Sequence, residues 1–446
     1  MSTSPVAWRS GGVLCVVILC AASMVYYHAG LFLPRVLQVR TAEGFGNGYS
    51  FGADFYPIWL TAREGLLYHR DPYSPQNTRQ IQIDLFGRTV DSRIFGAPSD
   101  YWTFAYPAFA DVLLWPVATL PFFAVRIGLG LILASLTAFS VVLWLRVVHL
   151  RPGPTTVATL IILTLSSYAV LEGLFALQMG VLVGFLLAAS LAALARQRLF
   201  FSGSLLALTL IKPQTILLIT VYLLLWSLAR WSARWKFVGG FLLMASLLGA
   251  SSLLVWPHWI LEWFRVISAY RRHSTPPLVS HVLGSQIGPL LGPVLMVALM
   301  AGAIALSWRM RHASTKSSDF GLTISLLLAI TVVAVLPGHA VYDHVLLLPG
   351  VILIALSWRD FASSRPFRVM LAVTAFAVFW QWISAPVLIA AHPFVSDQGF
   401  TPALLTVPIR TAASIPFGVL ALLALMMLQG RLKKNRSHDE KSAPRP

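Results

Sequence analysis

Charge is what this chain has least of. Only 11% of its 446 residues are Asp, Glu, Lys or Arg, while 57% are hydrophobic. Soluble proteins carry about 25% charged and about 45–50% apolar residues. A soluble chain of this length would also divide into several domains with polar surfaces and linkers, and the sequence holds no material for them. Acidic residues are scarcest, 16 against 33 Lys and Arg, for a net charge of +17. Nucleic-acid binding would need those basic residues on one face, but they are scattered over short loops between apolar runs, as the positive-inside rule describes. The two cysteines, Cys15 and Cys20, share the first apolar run and point to different sides of a helix. They carry no information on redox compartment. Also missing are a Walker phosphate loop, a Gly-rich dinucleotide fingerprint and Cys/His zinc spacing. Nor is there a cytoplasmic domain in which a nucleotide sugar could be held.

What the chain does have is apolar runs of spanning length, since a helix needs about 20 residues to cross roughly 30 Å of hydrocarbon. They fall near 11–33, 123–148, 155–171, 175–195, 200–211, 214–228, 237–256, 287–308, 320–336, 341–358, 369–389 and 407–428. The expectation is therefore an all-α polytopic membrane protein of about 12 transmembrane helices. The first run begins like a signal peptide, with Arg9 ahead of an apolar core and Ala21-Ala22-Ser23 as a weak cleavage site. It continues to full spanning length and reads as an uncleaved first helix. A shorter piece, Tyr106 to Pro121, is interrupted by Pro107, Pro116 and Pro121 and decides the topology. Not counted as a span, it leaves Arg146, Arg151, Arg196, Arg198, Arg230, Arg234, Lys236, Arg309, Arg311, Arg359, Arg365 and Arg368 all on the cytoplasmic side. It is accordingly expected to skim or re-enter the membrane. Both termini are then cytoplasmic, and the segments 34–103, 257–285, 337–340 and 392–408 face outward. The domain reading is one transmembrane domain over 1–430, with a first extracytoplasmic loop at 34–122 carrying juxtamembrane helices. A basic, disordered cytoplasmic tail follows over 431–446.

Polar chemistry concentrates on the outer side. Ionisable groups near a membrane are costly and tend to be functional where they face a cavity. The stretch Ala53-Asp54-Phe55-Tyr56-Pro57 to Ala62-Arg63-Glu64-Gly65-Leu66-Leu67 has helical spacing suited to a surface helix. Asp54 stands where an N-cap would. Lys212 precedes Pro213 at the outer end of a short helix and reads either as a phosphate ligand or as a snorkelling lysine. Arg271-Arg272-His273 is a basic cluster outside, against the trend of every other loop. Tyr342-Asp343-His344 opens a helix at the same face, with Asp343 as a capping residue. Trp59, Tyr106 and Trp259 are placed to stack on sugars or to sit in an interfacial belt.

The string D-F-Y, A-R-E-G-L-L and R-D-P-Y within 54–73, the F-A-Y-P-A of 104–108 and the I-K-P of 211–213 resemble the glycosyltransferase family 87 mannosyltransferases. That resemblance implies a GT-C glycosyltransferase-like bundle using polyprenyl-phosphate sugars, set in the bacterial inner membrane. It makes Asp54 the catalytic base of an inverting single displacement, a step worth typically 10²–10⁴-fold. The leaving phosphate needs cations or amides, which points to Lys212, Arg271, Arg272 and His344, with Gln178 and Arg63 as further substrate contacts. The pattern is broken at Tyr106-Pro107-Ala108, where the family often has Tyr-Pro-Pro, and at Leu177-Gln178, where Gly-Gln is common. Glu172 sits where some GT-C enzymes have a second, metal-binding acid. A lone carboxylate is thin ground for a divalent ion, and the reading has no metal and no cofactor beyond the lipid-linked donor. The partners expected are that donor, a lipid or glycan acceptor and membrane lipids, with no nucleic acid. A polytopic transporter or lipid flippase is the alternative. It would want ionisable groups near the midplane and paired broken helices, whereas this chain keeps its charges at the helix ends.

Overall fold

The computed structural model describes residues 6–42, 50–89, 102–273, 275–338, 340–394 and 402–442, and among these the chain is helical, with one isolated β-bridge, Pro277 to Pro337. Seven helical segments are long and apolar enough to cross a bilayer: Gly11–Val39, Phe122–Val147, Trp231–Val255, Leu291–Arg309, Val341–Asp360, Arg365–Phe394 and Val407–Gly430. The helices Pro154–Leu165 and Tyr168–Ala176 are long and apolar enough only when taken together, as one broken span or a re-entrant loop, and meet at a bend of 56°. There Ser166 and Ser167 turn their hydroxyls onto the carbonyls of Ile162 and Thr164. The chain is a multi-pass membrane protein.

Four further runs that the sequence offers as spans form shorter helices: Met179–Ala195, Leu199–Leu208, Leu217–Leu228 and Ser318–Ala334. At 1.5 Å per residue the longest of these reach only about 25 Å. Every residue from Phe320 to Ala334 is buried, so that helix is sheathed by protein and its length need not match the lipid. Around it lies the main core, with Tyr222, Trp226, Phe237, Leu327 and Ile352. Two satellite clusters sit beneath the first loop and beside the first helix.

Lipid cannot drive helices together by hydrophobicity, so contact depends on small residues and interhelical hydrogen bonds. Gly203 and Gly240 each lie against the backbone carbonyl of Phe237 and Phe200 on the facing helix. Ser190 and Ser202 exchange hydroxyl-to-carbonyl bonds of 2.8 Å.

The first loop carries the helices Tyr56–Tyr68, Pro75–Phe86 and Phe109–Ala118. Ser74 caps the second by accepting from the Asn77 amide. The first and third are joined by Thr61 Oγ1, which donates to Asp111 at 2.9 Å. Pro116 lies inside Phe109–Ala118, a 10-residue helix too short to cross. The helix Ile415–Ser442 carries the backbone on into the segment read as a tail.

The two ends of the bundle differ in character. At one end the basic loops meet. His149 Nε2 lies 2.9 Å from the Thr315 carbonyl, Gln197 donates to Thr315 Oγ1 at 3.2 Å, and Arg234 donates to the Arg311 carbonyl at 3.2 Å. The helix Met179–Ala195 leads from Arg196 at that end back to Gln178 at the other, about 27 Å away at helical rise.

Candidate active site

Asp54 lies on a tight turn over 51–55, two residues ahead of the first residue of the helix Tyr56–Tyr68. The N-cap position belongs to Phe55, which offers no side-chain cap, so the capping role expected of Asp54 is not the one it fills. The turn is pinned by the Gly52 amide, which donates to the Phe175 carbonyl at 2.8 Å. Gly52 has φ +82°, and a Cβ there would come within 3.0 Å of Leu177 and 3.2 Å of Phe122. Only glycine suits both the backbone and the space. The turn thus presents the Asp54 carboxylate to Gln178, whose Nε2 donates to its Oδ2.

Gln178 follows Leu177, which has φ +53° and ends the helix Tyr168–Ala176. A left-handed leucine is unusual, and here it is fully buried against the glycines of the loop and of the helix Phe122–Val147. The Gly-Gln pair common in the resembling family has a physical sense at this point, because the position uses the conformation that glycine adopts at least cost. This chain substitutes packing for that freedom.

Two residues on, Gly180 faces a buried ion pair. Lys212 Nζ donates to Asp343 Oδ1 at 2.6 Å and lies 4.9 Å from the centre of the Tyr342 ring. Lys212 stands in the break that Pro213 makes between two short 3-10 turns, Thr209–Ile211 and Pro213–Thr215. Asp343 belongs to the 3-10 helix Val341–Leu347, whose N-cap is Ala340 with no side-chain bond. Capping, expected for Asp343 as for Asp54, is replaced by a long-range partner. Tyr106 hangs over the same space: burial pushes its hydroxyl well above the usual phenol range, and the carboxylates of Asp54 and Asp343, with Tyr270, push it further. Asp54, Gln178, Lys212, Asp343, Tyr106 and Tyr342 therefore form one polar cluster, here termed the chamber, at the end of the bundle away from the basic loops.

The remaining candidates lie elsewhere. Arg63 packs over Trp59 at 5.6 Å and donates to the Ala118 and Thr119 carbonyls at 3.4 and 3.3 Å, bracing two loop helices. Trp59 and Trp259 are core residues under the loop, not open stacking faces. Arg271 is exposed near the end of the helix Trp259–His273, and the side chain of Arg272 lies outside the described residues. His344 is turned from the chamber towards an apolar cavity of about 180 Å³ lined by Tyr168, Val345, Gln381 and Trp382. Glu172 meets His28 at 3.1 Å, beside the π-helical turn Tyr27–Phe32 of the first helix. Among the described residues no three His, Cys, Asp or Glu side chains converge as a metal cage would require. Of the other members, the sequence suggests Tyr106 as a sugar-stacking or belt residue and Asp343 as a cap, and it gives Tyr342 no role of its own. A signal existed in the polar tripeptide Tyr342-Asp343-His344 inside an apolar run.

Residues 104–337 match the profile of glycosyltransferase family 87, a little over half of the chain. The match takes in Gln178 and Lys212, while Asp54 lies before it and Asp343 after. Neither the curated proteins nor the solved structures compared with the chain gave a match. On the extent of the profile match, this chain is a member of glycosyltransferase family 87, a membrane-embedded glycosyltransferase.

Proposed function

We propose that the protein transfers a hexose, mannose by the family resemblance, from a polyprenyl phosphate to a lipid or glycan acceptor on the extracytoplasmic face of a bacterial inner membrane. The observation that carries this reading is the Asp54–Gln178 contact, in a polar chamber at the end of the bundle opposite the basic loops. Positive loops stay in the cytoplasm, which turns the chamber outward. About twelve crossings of a GT-C-like bundle, with both termini inside, fit that orientation.

In this mechanism Asp54 takes the proton of the acceptor hydroxyl as its oxygen bonds to the anomeric carbon. The bond from that carbon to the phosphate oxygen breaks, and the polyprenyl phosphate leaves with the electron pair, inverting the centre. Gln178 fixes the direction of the Asp54 carboxylate. Lys212 spends one of its three N–H donors on Asp343 and turns the others to the leaving phosphate, where charge develops. Arg271 and Arg272 add positive potential near the rim, and His344 lies next along the chain from Asp343. No metal is assigned a part.

The test is transfer from radiolabelled polyprenyl-phosphate-mannose in proteoliposomes, wild type beside Asp54→Asn at matched thermal stability. The expected result is transfer by the wild type and a fall of roughly 10²–10⁴-fold in the variant. Equal transfer by both proteins would remove Asp54 from the reaction. Transfer from other polyprenyl-phosphate sugars only would change the sugar.

A further inference from the structure

Asp343 is 1% exposed, and only its Oδ1 is engaged, by Lys212; its buried Oδ2 has no hydrogen-bond partner. The same is true of Gln178, 5% exposed, whose Oε1 is buried and unpartnered. Its amide cannot turn round to relieve this, because a carboxylate only accepts, and the NH₂ must face Asp54. A buried acceptor left unpaired is costly, and persistent cases call for a functional account. The chamber therefore offers two unpaired acceptors, one of them on the carboxylate that holds a lysine. Its chemical complement is an anion with hydroxyl donors beside it.

The spacing narrows the match. Lys212 Nζ holds Asp343 Oδ1 at 2.6 Å, and the unpaired Oδ2 belongs to the same carboxylate, so a ligand that meets both Nζ and Oδ2 does so through groups close together on its frame. If Lys212 meets the phosphate on the anomeric carbon, as the proposed function has it, Asp343 reaches the hydroxyl on the next carbon. Gly180 makes this geometry possible. A Cβ there would collide with Asp343 Oδ1 and lie 3.1 Å from Lys212 Nζ, and glycine leaves the pair its room.

We propose that Asp343, through Oδ2, accepts a hydrogen bond from the 2-hydroxyl of the donor sugar and so selects a hexose with that hydroxyl free. Gln178 Oε1 accepts from a second hydroxyl.

Binding is measured without acceptor, so that no turnover intervenes, on protein in nanodiscs titrated with farnesyl phosphate, its mannosyl and glucosyl esters, and the 2-deoxy and 4-deoxy counterparts. The wild type is expected to bind a hexosyl ester at least about tenfold tighter than the 2-deoxy lipid, one good hydrogen bond's worth. Asp343→Asn leaves Lys212 unmatched and risks misfolding, so Gly180→Ala is run beside it. That substitution keeps every charge and a helical backbone but displaces the Asp343 carboxylate. It should erase the 2-deoxy discrimination while the 4-deoxy penalty is unchanged, and any loss of phosphate affinity from crowding Lys212 should weaken farnesyl phosphate, the hexosyl esters and the 2-deoxy lipid alike. The proposal is overturned by equal wild-type affinity for the hexosyl and 2-deoxy lipids. It is likewise overturned by discrimination that survives Gly180→Ala, or by no gain from the sugar over farnesyl phosphate alone. Failure of the proposed function reads differently: the hexosyl lipids bind with discrimination but no sugar is transferred to any acceptor.

Discussion

Gln178 donates through Nε2 to Oδ2 of Asp54, 124 residues earlier in the chain, and so ties a turn of the first loop to the N-cap of a central helix. The bond sets the direction of the carboxylate and does not change its identity. Gln178→Leu, close in volume and unable to donate, should lower kcat about tenfold by loosening that orientation, with KM for the donor changed far less. Gln178→Glu sets two carboxylates side by side, and one pKa of such a pair rises. The acidic limb of the rate–pH profile should move upward in that variant and stay in place in Gln178→Leu. Steady-state kinetics across pH, on proteins of matched thermal stability, separates the two.

The ion pair beneath the chamber makes a separate claim on stability. Lys212 and Asp343 are both almost fully buried, and removing one partner strands the other charge in a low-dielectric site. Lys212→Met or Asp343→Leu alone should each cost about 3–5 kcal/mol. The double variant should recover most of that loss, because no charge is left uncompensated, yet remain unable to bind donor. Thermal unfolding in detergent for all four proteins gives the coupling directly.

Much of the fold was legible because hydrophobic runs need only composition and length to be read. The break at Lys212-Pro213, the short interrupted piece before Pro121 and the bracketing of basic loops all reappear as physical features. The site was legible only in part. Asp54, Gln178 and Lys212 stood out as polar residues at helix ends, but Asp343 is 131 residues from Lys212, and no local period announces such a pairing. Aspartates before helices read as caps because capping is the commonest reason for them. Long-range partners overrode it twice. Leu177 was equally opaque, since nothing about a leucine signals a positive φ. Arg63, a cation inside a recognisable string, braces the Ala118 and Thr119 carbonyls, a contact that the string does not announce. Hydropathy alone also could not show that the helix Ser318–Ala334 is wrapped in protein where other apolar helices expose residues.

Asp71, in the first loop, gives a pH signature away from the chamber. Its Oδ1 accepts from the Tyr73 amide at 2.8 Å, yet burial above all, and Glu262 after it, hold its pKa above the ordinary carboxylate value. A raised folded pKa means that the folded state keeps the proton longer than the unfolded chain. The associated stability is present below the usual carboxylate range and is lost as pH rises through Asp71's own pKa. Asp71→Asn keeps an acceptor for Tyr73 and has nothing to ionise. Its melting temperature should therefore equal the wild type's at low pH and exceed it progressively above that window. A gap that widened on acidification would refute the assignment.

The contact between the helices Leu199–Leu208 and Trp231–Val255 supplies the sharpest steric prediction. Gly203 lies against the Phe237 carbonyl and Gly240 against the Phe200 carbonyl, a reciprocal approach of two backbones. Ser204 Oγ adds a 3.3 Å contact to the Gly240 carbonyl. A methyl group at either glycine meets main chain, which cannot step aside as a side chain can. The helices must separate, with loss of the dispersion contacts and hydrogen bonds that hold membrane helices together. Gly203→Ala and Gly240→Ala should each lower the melting temperature by several degrees, the shift that about 1–3 kcal/mol produces. Gly249→Ala, on the same helix as Gly240 but with open space around its Cβ position, should be neutral or slightly stabilising, since alanine is the better helix former. Equal melting of Gly240→Ala and Gly249→Ala would show that the two helices do not pack backbone to backbone, and the short helix Leu199–Leu208 would then have to be held to the bundle by other contacts.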